Sequence, residues 1–118
     1  MGQPVAYFEI VSPDAARARA FYTGLFGWSA DADPAMGGYA LVDTGAGGDA
    51  IGGGIGAAEE PGEAGVKIYM RVEDLEACVE KAEKLGGTLV VPPHDLPGDA
   101  GRTAIFTDPD GNQVGLWA

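Results

Sequence analysis

Twice in this chain of 118 residues an alternating stretch leads into an amphipathic helix, and twice three further short apolar stretches follow. A strand-helix-strand-strand-strand order repeated with little identity between its halves narrows the fold more than any single residue does. The first copy opens at 4–11, where Phe8 and Ile10 alternate with Tyr7 and Glu9, the period of a half-buried strand. Ser12-Pro13-Asp14 then predicts a helix start: a capping hydroxyl, proline at the first helical position and an acid in the first turn. The helix runs to Phe26 with Ala18, Phe21, Tyr22 and Leu25 as its buried stripe, and Gly27 ends it in the left-handed conformation. Strands are expected at 28–33, 39–44 and 50–56. The last contains Gly52-Gly53-Gly54, read as a bulged strand lining a cavity, with a loop as the alternative.

Residues 59–65 form a short linker, after which the pattern restarts. In 66–72, Ile68, Met70 and Val72 alternate with Lys67, Tyr69 and Arg71. Asp74 is placed to cap a second helix with Leu75, Cys78, Val79, Ala82 and Leu85 on one stripe, Lys81 and Lys84 in the last turn, and Gly86-Gly87 as its end. Strands at 88–91, 102–107 and 112–117 complete this copy, with 92–101 as a loop. The last two strands are joined by Asp108-Pro109-Asp110-Gly111, a strong turn sequence. The chain is therefore one α+β domain of two βαβββ modules, about 1–58 and 66–118. Each module is a sheet with one helix over one face. The opposite faces stay uncovered unless the sheets curve around a shared interior, within one chain or across a homodimer. Function is expected in that interior.

The formal net charge is −11, which argues against nucleic-acid and anionic-membrane partners. Such acidity either maintains solubility or welcomes a cationic ligand. The single cysteine, Cys78, allows no intrachain disulfide and reads as core filler on a helical stripe. No basic region followed by a long apolar run opens the chain, and a cytoplasmic location is expected.

Several of these residues also carry a family resemblance. They are Asp14 with the run Phe21-Tyr22-Thr23-Gly24-Leu25-Phe26-Gly27-Trp28, then Val72-Glu73-Asp74-Leu75, Leu85-Gly86-Gly87 and Asp108-Pro109-Asp110-Gly111-Asn112. In this order and spacing the chain resembles the vicinal oxygen chelate superfamily of glyoxalase I, bleomycin-resistance proteins and extradiol dioxygenases. Within it, the chain looks like the glyoxalase-like group with Phe-Gly-Trp after the first helix and Gly-Leu-Trp near the end. The resemblance implies a curved mixed sheet around a cavity, and a divalent metal held from four strands. The family's ligand positions fall here on Tyr7, Lys67, Gly115 and the stretch Ile51–Ile55, which contains no His, Glu, Gln or Asp. A lysine beside a cation and a glycine without a donor atom do not make a metal site, so no metal and no cofactor are expected.

The candidate site is assembled from side chains on the uncovered faces. Glu9 shares a face with Tyr7 by the two-residue period, and is either a ligand-gripping general base or half of a structural ion pair with Lys67 or Arg71. Tyr7, Tyr69 and Trp117 are either pocket lining or interface. Arg102 either binds an anion or caps its strand. The resulting ligand set is Tyr7, Glu9, Lys67, Tyr69, Arg102 and Trp117, with Glu9 as the catalytic base. His94, the one histidine, sits in the expected 92–101 loop. Three functions follow: metal-independent binding of a small organic molecule with acid–base isomerase or lyase chemistry; sequestration of a cationic drug, as in bleomycin resistance; or a divalent-metal lyase or dioxygenase with atypical ligands such as Glu9, His94 and Asp95.

Overall fold

A computed structural model describes residues 2–60 and 62–118 and shows an α+β fold of eight strands and two helices in the repeated order expected. The strands are β1 (Val5–Ser12), β2 (Ser29–Asp33), β3 (Tyr39–Asp43), β4 (Gly52–Ala57), β5 (Gly65–Arg71), β6 (Thr88–Asp95), β7 (Arg102–Thr107) and β8 (Gln113–Trp117), and the helices are α1 (Ala15–Phe26) and α2 (Leu75–Lys84). The chain divides into two compact units: Tyr7–Val66, and Lys67–Ala118 together with the N-terminal residues through Ala6.

In the Tyr7–Val66 unit the strand order is β2-β3-β4-β1, with β1 parallel to β4 and the other pairs antiparallel. Parallel pairing requires a crossover, and α1 lies within it. The side facing α1 carries the apolar members of each alternation. Ile10, Ala18, Val42 and Ile55 are buried together, with Phe8, Tyr22, Trp28 and Ala30 packed against them. Ile55 is fully buried, a contribution of about 2 kcal/mol from transfer out of water. The Lys67–Ala118 unit repeats the scheme as β5-β8-β7-β6, with β5 parallel to β8. Its core joins Val72, Leu75, Val79, Ala104 and Leu116, and Cys78 packs against that cluster, as filler should.

Three local expectations change. The cap of α1 is Asp14, whose carboxylate accepts from the Arg17 N–H at 3.0 Å, while Ser12 Oγ accepts from the Asp14 N–H. Asp14 therefore sits one step before the helix instead of inside its first turn. The apolar stripe of α1 is largely not buried: Ala18 is, but Phe21 and Leu25 are 59% and 58% exposed. The loop expected over 92–101 is shorter, because β6 continues to Asp95 through irregularities in its register with β7. His94 is on that strand, exposed, with Nδ1 3.0 Å from the Pro92 carbonyl. Pro92 and Pro93 cannot donate to a ladder, which accounts for the broken register there. Elsewhere Asp74 caps α2, accepting from the Ala77 N–H at 3.0 Å, and Gly27 closes α1 at φ 71°. Gly52-Gly53-Gly54 is strand.

Candidate functional site

The sheet face turned away from α1 in the Tyr7–Val66 unit is built from the other half of each alternation. One register row crosses all four strands as Asp31, Leu41, Gly54 and Glu9. Tyr7 precedes Glu9 on β1 and Tyr39 opens β3. Three of the β4 residues on this face are glycines, Gly52, Gly54 and Gly56, and their lack of side chains is what lets aromatic rings lie across the strand. A Cβ at Gly54 would overlap the hydroxyls of both Tyr39 and Tyr7, and one at Gly56 would sit 2.8 Å from the Tyr39 ring. On the opposite face Gly53 does the same for Phe8, whose ring would be 2.5 Å from an added Cβ. The glycine run is a backbone floor for rings supplied by the neighbouring strands.

Over that floor three polar groups form a chain. Tyr39 donates its hydroxyl proton to Glu9 Oε2 at 2.8 Å, and the Tyr7 and Tyr39 hydroxyls are 2.8 Å apart. A phenol has one proton, so when Tyr39 gives its own to Glu9 the Tyr7 hydroxyl is the donor to Tyr39. The direction runs Tyr7 to Tyr39 to Glu9. All three side chains are half-buried. Burial raises the Tyr7 pKa above the ordinary phenol value, with the Glu9 charge adding to it against a lowering by the Tyr39 bond. Burial also raises Tyr39 strongly, reinforced by its bond to Tyr7 and by the Glu9 charge. Both rings are therefore held as neutral hydrogen-bonding phenols beside a carboxylate, an arrangement that holds Glu9 in place. Glu9 and Tyr7 were legible in the sequence. Tyr39 was not, although its place opposite a glycine-rich strand is the signal that would have found it.

In the Lys67–Ala118 unit, Lys67, Tyr69 and Arg71 alternate with Ile68 and Met70, and the partly buried Met70 packs into the α2-side core. Tyr69 is buried and pairs in register with Gly115, where an added Cβ would run into its ring. Gly115 thus serves the Tyr69 ring as Gly54 serves Tyr39. Next in register, Arg71 stands opposite Trp117, its guanidinium 4.4 Å from the indole centroid, and Trp117 Nε1 donates to the Ala100 carbonyl at 2.8 Å. The structure therefore gathers Tyr69 and Trp117 with Arg71, which the sequence had offered only as a partner for Glu9. Lys67 is half-buried on the same strand.

Arg102 does not join them. By alternation it shares a parity with Ala104 and Phe106, the α2 side of β7, and there Glu76 of α2 accepts from it through both oxygens at 2.9 and 2.6 Å, with Asp95 at 3.4 Å. The guanidinium lowers the Glu76 pKa. An exposed ion pair of this kind is a local staple, and Arg102 is not carried into the site. Among the described residues no group of three or more His, Cys, Asp or Glu is gathered so as to hold a metal ion, so the combination of Glu9, His94 and Asp95 is not assembled. At the positions that the resemblance assigns to metal ligands, Tyr7, Lys67 and Gly115 offer a phenol, a cation and no donor atom, a set that does not fit a divalent ion.

This fold and these motifs place the chain among known proteins. Residues 5–116 match the Glyoxalase/Bleomycin resistance protein/Dioxygenase superfamily, and the chain belongs to it. Among curated relatives, CFP32 of Mycobacterium bovis, whose name carries the word glyoxylase, is 35% identical over 122 residues, covering 94% of this chain and 44% of its own length. DnrV of Streptomyces peucetius, named as an anthracycline biosynthesis protein, is 32% identical over 136 residues, covering 95% of this chain and 46% of its own. The chain thus spans less than half the length of these relatives. In structure, the methylmalonyl-CoA epimerase of Mycobacterium tuberculosis superposes with a TM-score of 0.66 at 18% identity, over 96% of this chain and 85% of that one. A superfamily member from Vibrio splendidus 12B01 does so at 0.62 and 16%, over 98% and 97%. At such identity the likeness is one of fold.

Proposed function

We propose that this protein binds a small organic molecule without a metal ion, on the glycine-floored face that carries Tyr7, Glu9 and Tyr39, and that Glu9 acts there as a general base in isomerase- or lyase-type proton transfer. The observation that carries this is the directed chain from Tyr7 through Tyr39 to Glu9, laid over backbone with no side chains of its own. Such a surface offers aromatic rings and hydroxyls of fixed direction beside a carboxylate, groups that small-molecule sites commonly use. The second unit by itself presents a face of similar make-up, with Tyr69, Trp117 and Lys67, and Arg71 stacked on the indole. Names given to the relatives, a glyoxylase and an anthracycline biosynthesis protein, both point to small organic molecules. The same reading makes the protein a cytoplasmic homodimer without nucleic-acid or membrane partners, and no helix among the described residues is long and apolar enough to cross a membrane.

A second reading, capture of a cationic drug, is favoured by the charge on the same face. Asp31, Asp33, Asp43 and Glu9 lie on it, and the strand positions of that face hold no lysine or arginine. The test for both is a screen of neutral, anionic and cationic organic compounds in chelator-containing buffer, repeated with Glu9→Gln and Tyr39→Phe. Ligands that bind wild type and lose about tenfold or more in either variant support the site. Deuterium incorporated from heavy water into the bound compound, and absent with Glu9→Gln, supports base catalysis. Equal binding by all three proteins removes the assignment, and preference for cations without exchange selects the sequestration reading.

A further inference from the structure

In the Lys67–Ala118 unit, the sheet face turned away from α2 is as one-sided in charge as the Glu9 face, with the opposite sign. One register row crosses its four strands as Arg71, Trp117, Thr103 and His94, and the next as Tyr69, Gly115, Ile105 and Val91. Lys67 lies on the same face of β5 by alternation. These positions hold an arginine and a lysine but no aspartate or glutamate, in a chain with eighteen acids against seven lysines and arginines. The acids of this unit are on α2, in loops and turns, or, as Asp95, paired with Arg102 on the α2 side of the sheet. A ligand on this face therefore meets positive charge without the carboxylates that surround it elsewhere on the chain.

Arg71 is the group prepared to use that charge. Its guanidinium lies 4.4 Å from the Trp117 ring centroid, and the indole beneath it is fixed in turn. Trp117 Nε1 donates to the Ala100 carbonyl at 2.8 Å, and the Trp117 carbonyl accepts from the Val72 N–H at 2.9 Å. Gly101, at φ 97°, leaves the space this needs, since a Cβ there would come within 3.0 Å of Nε1. A guanidinium seated on a ring has its position set before a ligand arrives, and it still has N–H donors to give in the fork that matches a carboxylate. Arg102 spends those donors on Glu76 and Asp95, whereas no carboxylate among the described residues is paired with Arg71.

We propose that this face binds a small organic monocarboxylate, with Arg71 taking the carboxylate through two N–H groups and Trp117 and Ile105 meeting the apolar body. Both are half-buried, and Ile105 stands two strands from Arg71, about 10 Å at the usual strand spacing, which is the reach of a small aromatic or branched-chain acid. A single anionic charge suits the chain better than two, because the net charge of −11 repels a dianion such as phosphate more strongly. The site belongs to the second unit alone, goes beyond the Glu9 reading and fails or holds independently of it.

Titration of the full chain with benzoate, phenylacetate and isovalerate, followed by nuclear magnetic resonance of the backbone amides and the Trp117 indole N–H, tests this. Benzamide, benzylamine and inorganic phosphate serve as neutral, cationic and dianionic controls. At least one carboxylate is expected to shift the Trp117 indole and the amides of Tyr69, Arg71 and Gly115, and to bind about tenfold or more tightly than any control. Arg71→Gln should weaken it about tenfold or more, and Arg71→Lys, which keeps the charge but not the fork, by less. Arg71 is exposed, so both variants should keep the wild-type amide spectrum away from this face. The proposal is overturned by carboxylates that leave this face unshifted up to about 10 mM, that bind no better than benzamide or phosphate, or that bind Arg71→Gln as they bind wild type.

Discussion

Glycine and tyrosine act as complementary residues in this chain. Gly54 and Gly115 each exist because a tyrosine ring or hydroxyl occupies the volume a Cβ would take, but the two substitutions to alanine should differ. At Gly54 the displaced atoms are the hydroxyl ends of half-buried Tyr39 and Tyr7, which can swing aside. Gly54→Ala should therefore lower urea stability little, by about 1 kcal/mol, while abolishing ligand binding at Glu9. At Gly115 the obstacle is the ring of buried Tyr69, and at Gly53 it includes the Phe8 carbonyl at 2.5 Å. Those two variants should lose roughly 2–3 kcal/mol or more, and equal losses at all three positions would contradict this account of the floor. The tyrosines also set a pH dependence. Tyr7 and Tyr39 hold their protons more tightly when folded, so above the ordinary phenol range near pH 10 the folded chain keeps protons that the unfolded chain has lost. Their contribution is full below about pH 10 and declines as the pH rises. Urea midpoints measured across that range should fall more steeply for wild type than for the Tyr7→Phe, Tyr39→Phe double variant.

At the scale of elements, caps and turns were the legible part and exposure was not. Asp74 was read correctly as a cap because its oxygen has one helix to serve. Asp74→Ala should lower stability by about 1 kcal/mol in denaturant unfolding. The first helix was misread at its start, since Ser12 and Asp14 both carry capping oxygens and only the backbone decides between them. Its stripe was misread too: a helical period says which residues share a face, not that the fold supplies a neighbour to cover it. Strand parity was available for Arg102 and would have sent it to the α2 side of β7. The Asp108 turn fulfils its promise through one side chain, which accepts from the Asp110 and Asn112 backbone N–H groups and from Asn112 Nδ2, each at 2.9 Å. These bonds, that to Asn112 foremost, lower the Asp108 pKa. Its contribution is thus present above the usual aspartate range and lost as pH falls through the lowered folded value. Asp108→Ala should remove this acid sensitivity and weaken amide-exchange protection in β7 and β8 first.

Across the whole molecule, the repeated βαβββ order and the turn motifs carried the family, because helix ends and turns depend on local chemistry that a sequence displays. The candidate site was half legible. Tyr7 and Glu9 followed from alternation within one strand, whereas Tyr39 needed the pairing of β3 with β4, a long-range fact that no local pattern states. On the proposed function, an organic ligand sits beside Glu9 on the face where Tyr7 and Tyr39 cover the β4 glycines. Amide chemical-shift mapping by nuclear magnetic resonance, with a hit from the compound screen and chelator present throughout, tests it most directly. The largest shifts are predicted at Tyr7, Glu9, Tyr39 and Gly52 through Gly56, and they should vanish in Glu9→Gln. Shifts confined to α2, the Asp108 turn or the α1 surface, with the β4 glycines unmoved, would contradict it.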